Sequence, residues 1–189
     1  MKDLGKTKIC LGTQIEHLAN GIFVHQSTYT EKILKRFYMD KAHPLSTPMV
    51  VRSLDVNKDP FRPHEENEEL LGHEVPYLGA IGALMYLSNA TRPDIAFYVN
   101  FLVRYSSSPT QRHWNGVKHV LRYLKGTIDM GLFYSKGYCA DLVGRADAGY
   151  LSDPHKARSR TGYVFTFGGT ATSWRSTKRS VIATSSNHL

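Results

Sequence analysis

Three consecutive stretches with apolar residues at helical spacing, in the middle of the chain, constrain the fold more than any other feature. They span residues 76–89, 91–105 and 108–125. In the third stretch the apolar residues recur at intervals of three and four positions: Trp114, Val117, Leu121 and Leu124. This spacing places them on one face of an α-helix, which is stable when that face packs against another apolar surface. The sequence therefore predicts a helical middle section, in which Gly79 and Gly82 permit a close helix approach.

The part of the chain after the helices is rich in strand-forming residues. The predicted strands are residues 129–135, 142–147, 161–167 and 171–176. Gly168 and Gly169 supply a turn that favours antiparallel pairing of the last two strands.

The amino-terminal part is predicted to be a hairpin followed by a helix. The two strands are residues 6–17 and 21–25. Asn20 followed by Gly21 favours a tight turn between them. Residues 28–39 carry an apolar helical face, and Thr28 and Glu31 have the spacing of a capping box.

An acidic, proline-containing stretch at residues 50–75 separates the first helix from the others and is predicted to be a linker. From residue 55 to 74, seven acidic residues accompany two basic ones, a local charge of −5. The whole chain has a net charge of +8, so the remainder carries +13. This distribution favours a polyanionic partner, most simply nucleic acid, while a basic but solvated surface is the alternative.

Composition narrows the class of protein further. The chain has 189 residues, of which 41% are hydrophobic, enough to build a core. No apolar run is long enough to span a bilayer or to act as a signal peptide, so we expect an intracellular protein, cytoplasmic or nuclear, without a membrane partner. Cys10 and Cys139 are far apart and predict buried free thiols. The nine histidines are scattered and do not indicate a metal site.

The third helical stretch is the candidate nucleic-acid-binding element. Its basic residues fall mostly outside the apolar stripe: Arg112, Lys118, His119, Arg122 and Lys125. A basic stripe of this kind suits a helix that follows a phosphate backbone. The solvated outer face of a helical bundle explains the same pattern equally well.

Several uncommon sequence motifs occur in the order YLSNATRPDIAF, LRYLKGT and SRTGYVF. In sequence and order they resemble motifs of the Pol polyproteins of copia-type LTR retrotransposons. The resemblance covers essentially the whole chain and implies an α+β fold: a palm-end hairpin and thumb helix, a helical connector, and a partial mixed β-sheet of ribonuclease H-like type. It implies four regions: 1–49 (reverse transcriptase palm end and thumb start), 50–75 (acidic linker), 76–128 (helical thumb and connector) and 129–189 (incomplete ribonuclease H-like domain). On this comparison we expect the chain to be truncated at both ends.

The same resemblance implies a catalytic role for Asp147, as a ligand of the Mg²⁺ that the complete family enzyme uses. Mg²⁺ needs several oxygen ligands, and in relatives a glutamate follows the position of Asn187, where this chain stops at Leu189. We therefore expect weak metal binding, if any, and no catalysis by the isolated chain. The alternative for Asp147 is a strand-end residue that binds turn amides.

Three functions remain open at this point. The chain is a segment of a polyprotein that copies RNA and cleaves RNA–DNA hybrids, active only within a complete Pol polyprotein as partner. Alternatively it is a non-catalytic module that binds nucleic acid, whether RNA–DNA hybrid, DNA or RNA. The third alternative is a non-functional remnant reading frame of a transposable element.

Overall fold

A computed structural model describes residues 5–50, 59, 62–65, 68–137, 141–153 and 158–178, and these residues form a helical core and two antiparallel sheets. The α+β class predicted from the sequence is confirmed. No helix in these ranges has the length and apolar character required to cross a membrane.

The first sheet joins the amino-terminal hairpin to a strand from much later in the chain. Its strands are β1 (Ile9–Cys10), β2 (Thr13–Leu18), β3 (Gly21–His25) and β4 (Gly131–Ser135), in the order β1-β2-β3-β4. The predicted Asn20–Gly21 turn is confirmed, because Leu18 pairs with Gly21. A Cβ at Gly21 would lie 2.4 Å from the Tyr134 carbonyl oxygen, so glycine is required where β3 meets β4.

Four α-helices lie in the described residues: α1 (Ser27–Arg36), α2 (Tyr77–Ala90), α3 (Ala96–Leu102) and α4 (Gln111–Gly126). Their apolar faces form one core, whose fully buried members include Leu84, Leu87, Val99, Leu102 and Leu121. The three helical stretches of the middle section therefore pack against one another, as their periodicity predicts.

Three details of the helix predictions were wrong. Gly79 and Gly82 are exposed and do not serve a close helix approach, because a Cβ at Gly82 would have no neighbour within 4 Å. The capping box of Thr28 and Glu31 does not form, because α1 begins one residue earlier, at Ser27, and the Thr28 N–H donates to the Gln14 side chain at 3.0 Å. The predicted helix 91–105 is interrupted: α3 is flanked by 3₁₀ turns at Pro93–Ile95 and Val103–Tyr105. The Thr91 hydroxyl donates to the Gln26 side chain, 2.9 Å away, instead of capping a helix.

The second sheet consists of β5 (Leu142–Asp153), β6 (Arg158–Phe167) and β7 (Thr170–Lys178), in the order β5-β6-β7. Both pairings are antiparallel, so the mixed sheet expected from the family resemblance is not seen among the described strands. Gly168 and Gly169 adopt φ angles of 55° and 81°, which explains why two glycines occupy the β6–β7 turn. The strand β4, expected to lead into this sheet, pairs with β3 instead.

The two faces of the second sheet differ in their surroundings. On one face, Trp174 Nε1 donates to the Ser88 carbonyl of α2 at 2.7 Å. On the other face, Tyr163, Phe165 and Phe167 are 36%, 40% and 46% exposed. The helical core thus covers one side of the sheet within the described residues.

The cysteine prediction was wrong for Cys10, which is exposed as a free thiol. Cys139 lies outside the described residues, as do Ser185, Ser186 and Asn187, where the family resemblance places the start of another helix.

Candidate nucleic-acid interface

The basic residues in the second half of α4 hold the segment 39–47, which follows α1, against the helix. Arg122 Nε donates to the His43 carbonyl and Lys125 Nζ to the Ala42 carbonyl, both at 2.7 Å. His119 Nε2 lies 3.0 Å from the Thr47 carbonyl oxygen. In return, the Leu45 N–H donates to the Arg122 carbonyl at 3.2 Å. The segment 39–47 is therefore fixed along α4 by hydrogen bonds.

These contacts change the surface that the sequence predicts for α4. The five basic residues are half-buried rather than solvent-facing: Arg112, Lys118, His119, Arg122 and Lys125. Burial lowers the pKa of His119, so its imidazole is neutral near pH 7 and acts as an N–H donor to the Thr47 carbonyl. His119 therefore contributes a hydrogen bond to the segment 39–47 without adding charge to the surface.

A groove of about 430 Å³ remains between α4 and the segment 39–47. Its walls are Met39, Ala42, His43, Asn115, Lys118, His119 and Arg122. The structure thus brings together three of the five predicted residues, Lys118, His119 and Arg122, while Lys125 binds the adjoining Ala42 carbonyl. Sequence reasoning missed His43 and the carbonyls of this segment, because they lie more than 70 residues away along the chain.

Arg112 lies at the other end of α4 and binds the acidic segment instead. Its guanidinium forms a bidentate pair with Glu68, in which Nε donates to Oε1 at 2.6 Å and Nη2 donates to Oε2. The Arg112 hydrogen bonds lower the pKa of Glu68 to about 2, despite the opposing effect of burial. The Glu68 hydrogen bond in turn raises the pKa of Arg112.

The acidic segment is held to α4 by its backbone as well. The Leu71 N–H donates to the Pro109 carbonyl at 2.9 Å, and Leu70 forms a β-bridge with Thr110. Residues 68–71, which the sequence predicts to be part of a linker, are therefore bound along the start of α4.

Asp147 lies on β5, on the face of the second sheet that is turned toward the helices. It is exposed in a cleft of about 590 Å³. The other charged residues of this cleft are Asp94, Arg145 and Arg175, and Phe97, Val164 and Trp174 supply apolar walls. Asp94 accepts hydrogen bonds from Arg92 Nη2 at 2.7 Å and from the Tyr123 hydroxyl at 2.9 Å.

The described residues do not form a cage for Mg²⁺. Among them, no three His, Cys, Asp or Glu side chains come together as possible ligands of one ion. The second carboxylate of the cleft, Asp94, is paired with the buried Arg92. Mg²⁺ requires several oxygen ligands, and Asp147 with the paired Asp94 does not supply them within the described residues.

Arg92 is a structural residue that charge patterns alone do not reveal. Its side chain is 3% exposed and also donates to the Thr127 carbonyl at 2.8 Å. A buried guanidinium needs such partners, and the neighbouring Asp94 was the one available signal in the sequence. Arg92 thus ties the 3₁₀ turn before α3 to the end of α4.

The fold and surface define an α+β protein in which basic residues of one helix frame a groove. The chain is 39% identical over 187 residues to a "Retrovirus-related Pol polyprotein from transposon TNT 1-94" of Nicotiana tabacum, a match that covers 98% of this chain and 14% of that protein. It is 32% identical over 190 residues to an uncharacterised mitochondrial protein of Arabidopsis thaliana, with 98% of this chain and 73% of that protein covered. A third relative, "Secreted RxLR effector protein 161" of Plasmopara viticola, is 46% identical over 112 residues, 59% of this chain and 79% of its own length.

The chain belongs to the Pol polyprotein family of copia-type LTR retrotransposons. The family resemblance predicted from the sequence is confirmed. No model of a known protein family and no solved structure matches the chain. Since the chain spans about one seventh of the tobacco polyprotein, it corresponds to a segment of such a polyprotein.

Proposed function

We propose that this chain is a nucleic-acid-binding segment of a retrotransposon Pol polyprotein, and that it holds RNA–DNA hybrid through the groove between α4 and the segment 39–47. The main support for the proposal is that Lys118 and Arg122 both line this groove. The opposite wall is the backbone of the segment 39–47, which hydrogen bonds from α4 hold in place. A fixed row of cations binds a phosphate chain without the entropy cost of ordering a loop.

The five basic residues take different roles in this proposal. Lys118 and Arg122 contact phosphates, while His119 and Lys125 position the segment that forms the opposite wall. Arg112 is neutralised by Glu68 and positions the acidic segment. Phosphate binding thus falls to two residues, Lys118 and Arg122, instead of the five basic residues of the predicted stripe.

Asp147 and Mg²⁺ keep the roles that the family resemblance implies, as part of the proposal for a complete polyprotein. Hydrolysis of the RNA strand would require further metal ligands beyond those in the described residues. For the isolated chain we expect binding of the hybrid without cleavage.

The test is the affinity of the purified chain for an RNA–DNA hybrid duplex over a series of salt concentrations. Each phosphate contact contributes about 0.9 to the slope of log K against log salt. For the double variant Lys118→Gln with Arg122→Gln, we expect the slope to fall by about 2 and the affinity to drop at every salt concentration.

A matched control removes the same charge elsewhere. Lys8 and Lys136 are exposed residues outside the groove and outside the Asp147 cleft, and Lys8→Gln with Lys136→Gln should leave the slope unchanged. Circular dichroism on each variant checks folding. Equal losses in the two double variants would show that binding depends on overall charge and not on this groove.

A further inference from the structure

The turn that ends α1 has an unusual residue at its tightest position. The Tyr38 N–H donates to the Lys35 carbonyl at 3.2 Å, and the Met39 N–H donates to the Leu34 carbonyl at 2.8 Å. This pair of hydrogen bonds is a Schellman motif, whose left-handed position is usually glycine. Here the position holds Tyr38, with φ of 56°.

Burial of the Tyr38 side chain does not compensate for the unfavourable backbone conformation. A left-handed conformation is unfavourable for a residue with a bulky side chain, and the usual compensation is packing. The Tyr38 side chain is 87% exposed, whereas its neighbour Phe37 is 5% exposed. Met39, on the other side, packs against the helical core. The backbone on both sides of Tyr38 is thus anchored, and the ring is presented to solvent.

Most charged residues near Tyr38 are basic. Met39, the next residue, lines the groove that contains Lys118 and Arg122. Lys35 and Lys41 are exposed on the same turn and the segment after it, beside one exposed acidic residue, Asp40. An exposed aromatic ring on a fixed turn beside a row of cations is the combination that proteins use to bind single-stranded nucleic acid.

We propose that Tyr38 stacks on an unpaired base that adjoins the duplex held in the groove. The inference rests on the proposed function, since the phosphates in the groove bring the base to the ring. An unpaired base is required, because bases inside a duplex are stacked on their neighbours and do not offer a face to a side chain. Lys35 and Lys41 bind the phosphates that flank this base.

The experiment compares an RNA–DNA hybrid that has blunt ends with the same hybrid carrying a short overhang that contains 2-aminopurine. Binding to the wild-type chain should quench the 2-aminopurine fluorescence, because stacking on an aromatic ring quenches this base. Tyr38→Asn and Tyr38→Gly both tolerate the left-handed conformation, so both should fold. We expect each to lose at least about fivefold in affinity for the overhang substrate and to abolish the quenching.

The control variant is Tyr38→Phe, which keeps the aromatic face and should retain both affinity and quenching. For the blunt hybrid, all three variants should bind as the wild type does, with the same salt dependence. DNA and RNA overhangs are tested in separate arms, and quenching of either supports stacking.

The outcomes separate this inference from the proposed function. Suppose that the chain binds the blunt hybrid through the groove and that Tyr38→Asn does not change the affinity for the overhang substrate. This result would overturn the stacking role of Tyr38 and leave the proposed function standing. Equal loss of affinity for blunt and overhang substrates in Tyr38→Asn would overturn it as well. If the wild-type chain binds neither substrate, the proposed function fails and this inference fails with it.

Discussion

The helical core and the second sheet bury their apolar residues to different extents. In the core, Leu84, Leu87 and Leu121 have no measurable exposure. In the second sheet, Leu142 is 67% exposed and Phe167 is 46% exposed. The helices therefore contain their own core, whereas the sheet buries one face only, against the helices.

The difference in burial indicates that the second sheet depends on the helices for its stability. The buried residues of the core cluster belong to the helical section and include none from β5 to β7, although β7 packs against α3 from outside. The second sheet is joined to the rest at a seam of side-chain hydrogen bonds, from Trp174 to the Ser88 carbonyl, from Tyr134 to the Ala171 carbonyl at 2.9 Å, and from Thr170 to the Phe133 carbonyl. We expect the helical core to be the more stable unit and the sheet to open first.

The largest effect should come from creating a cavity in the helical core. Leu87→Ala removes a fully buried side chain of α2, and we expect the free energy of unfolding to fall by about 2–5 kcal/mol. Phe165→Thr, on the open face of β6, replaces a side chain that is 40% exposed with another strand-forming residue. We expect a change of about 1 kcal/mol or less.

Urea unfolding of both variants, followed by circular dichroism, measures these changes. If Phe165→Thr destabilised the chain as much as Leu87→Ala, the open face of the sheet would have to be covered in solution, for instance by a second copy of the chain. Sedimentation of the wild type at several concentrations would then reveal that association.

The sequence predictions were more accurate for the helical core than for the pairing of the strands. Helical periodicity identified the core residues well, since Val117, Leu121 and Leu124 are all fully buried. It could not show that β4 pairs with β3, because local alternation carries no information about a partner more than 100 residues away.

At the candidate nucleic-acid interface, the local sequence pattern predicted only part of the surface. The basic stripe of α4 correctly located Lys118 and Arg122 beside a groove. No local pattern indicated that Arg112 would bind Glu68, 44 residues away, because an ion pair between distant segments depends on the tertiary fold. Contacts of this range decide which cations remain available to a ligand.

A second prediction concerns acid, and it should affect the helical core more than the sheet. His113 of α4 is fully buried, and burial lowers its pKa from 6.5 to about 4. Its Nδ1 accepts the Thr110 N–H at 3.0 Å, so the imidazole is neutral and Nε2 donates to the Arg62 carbonyl at 3.2 Å. Since the unfolded chain binds a proton more readily, this stabilisation is complete above pH 6.5 and is lost as the pH falls toward 4.

We expect the loss to be of the order of 2–3 kcal/mol over this interval, from the free-energy equivalent of the pKa difference. Urea unfolding at several pH values between 7 and 4 measures it, and the wild type is compared with His113→Gln. The variant should be less stable at pH 7 but should show a smaller dependence on pH. His43→Gln, at an exposed position, is the matched control, and a dependence on pH that was unchanged in His113→Gln would contradict the assignment.

The smallest effect should come from the seam itself. Trp174→Phe keeps an aromatic ring on β7 but removes the N–H that donates to the Ser88 carbonyl, at a cost of about 1 kcal/mol. If the sheet opens independently of the core, amide hydrogen exchange should become faster in β5 to β7, by about fivefold, and remain unchanged in α2 and α4.

Trp114→Phe, on α4 against Tyr77, is the matched control and should affect the helices. Exchange that became faster throughout the molecule in Trp174→Phe would mean that sheet and helices unfold together, and the seam would then be part of one cooperative core.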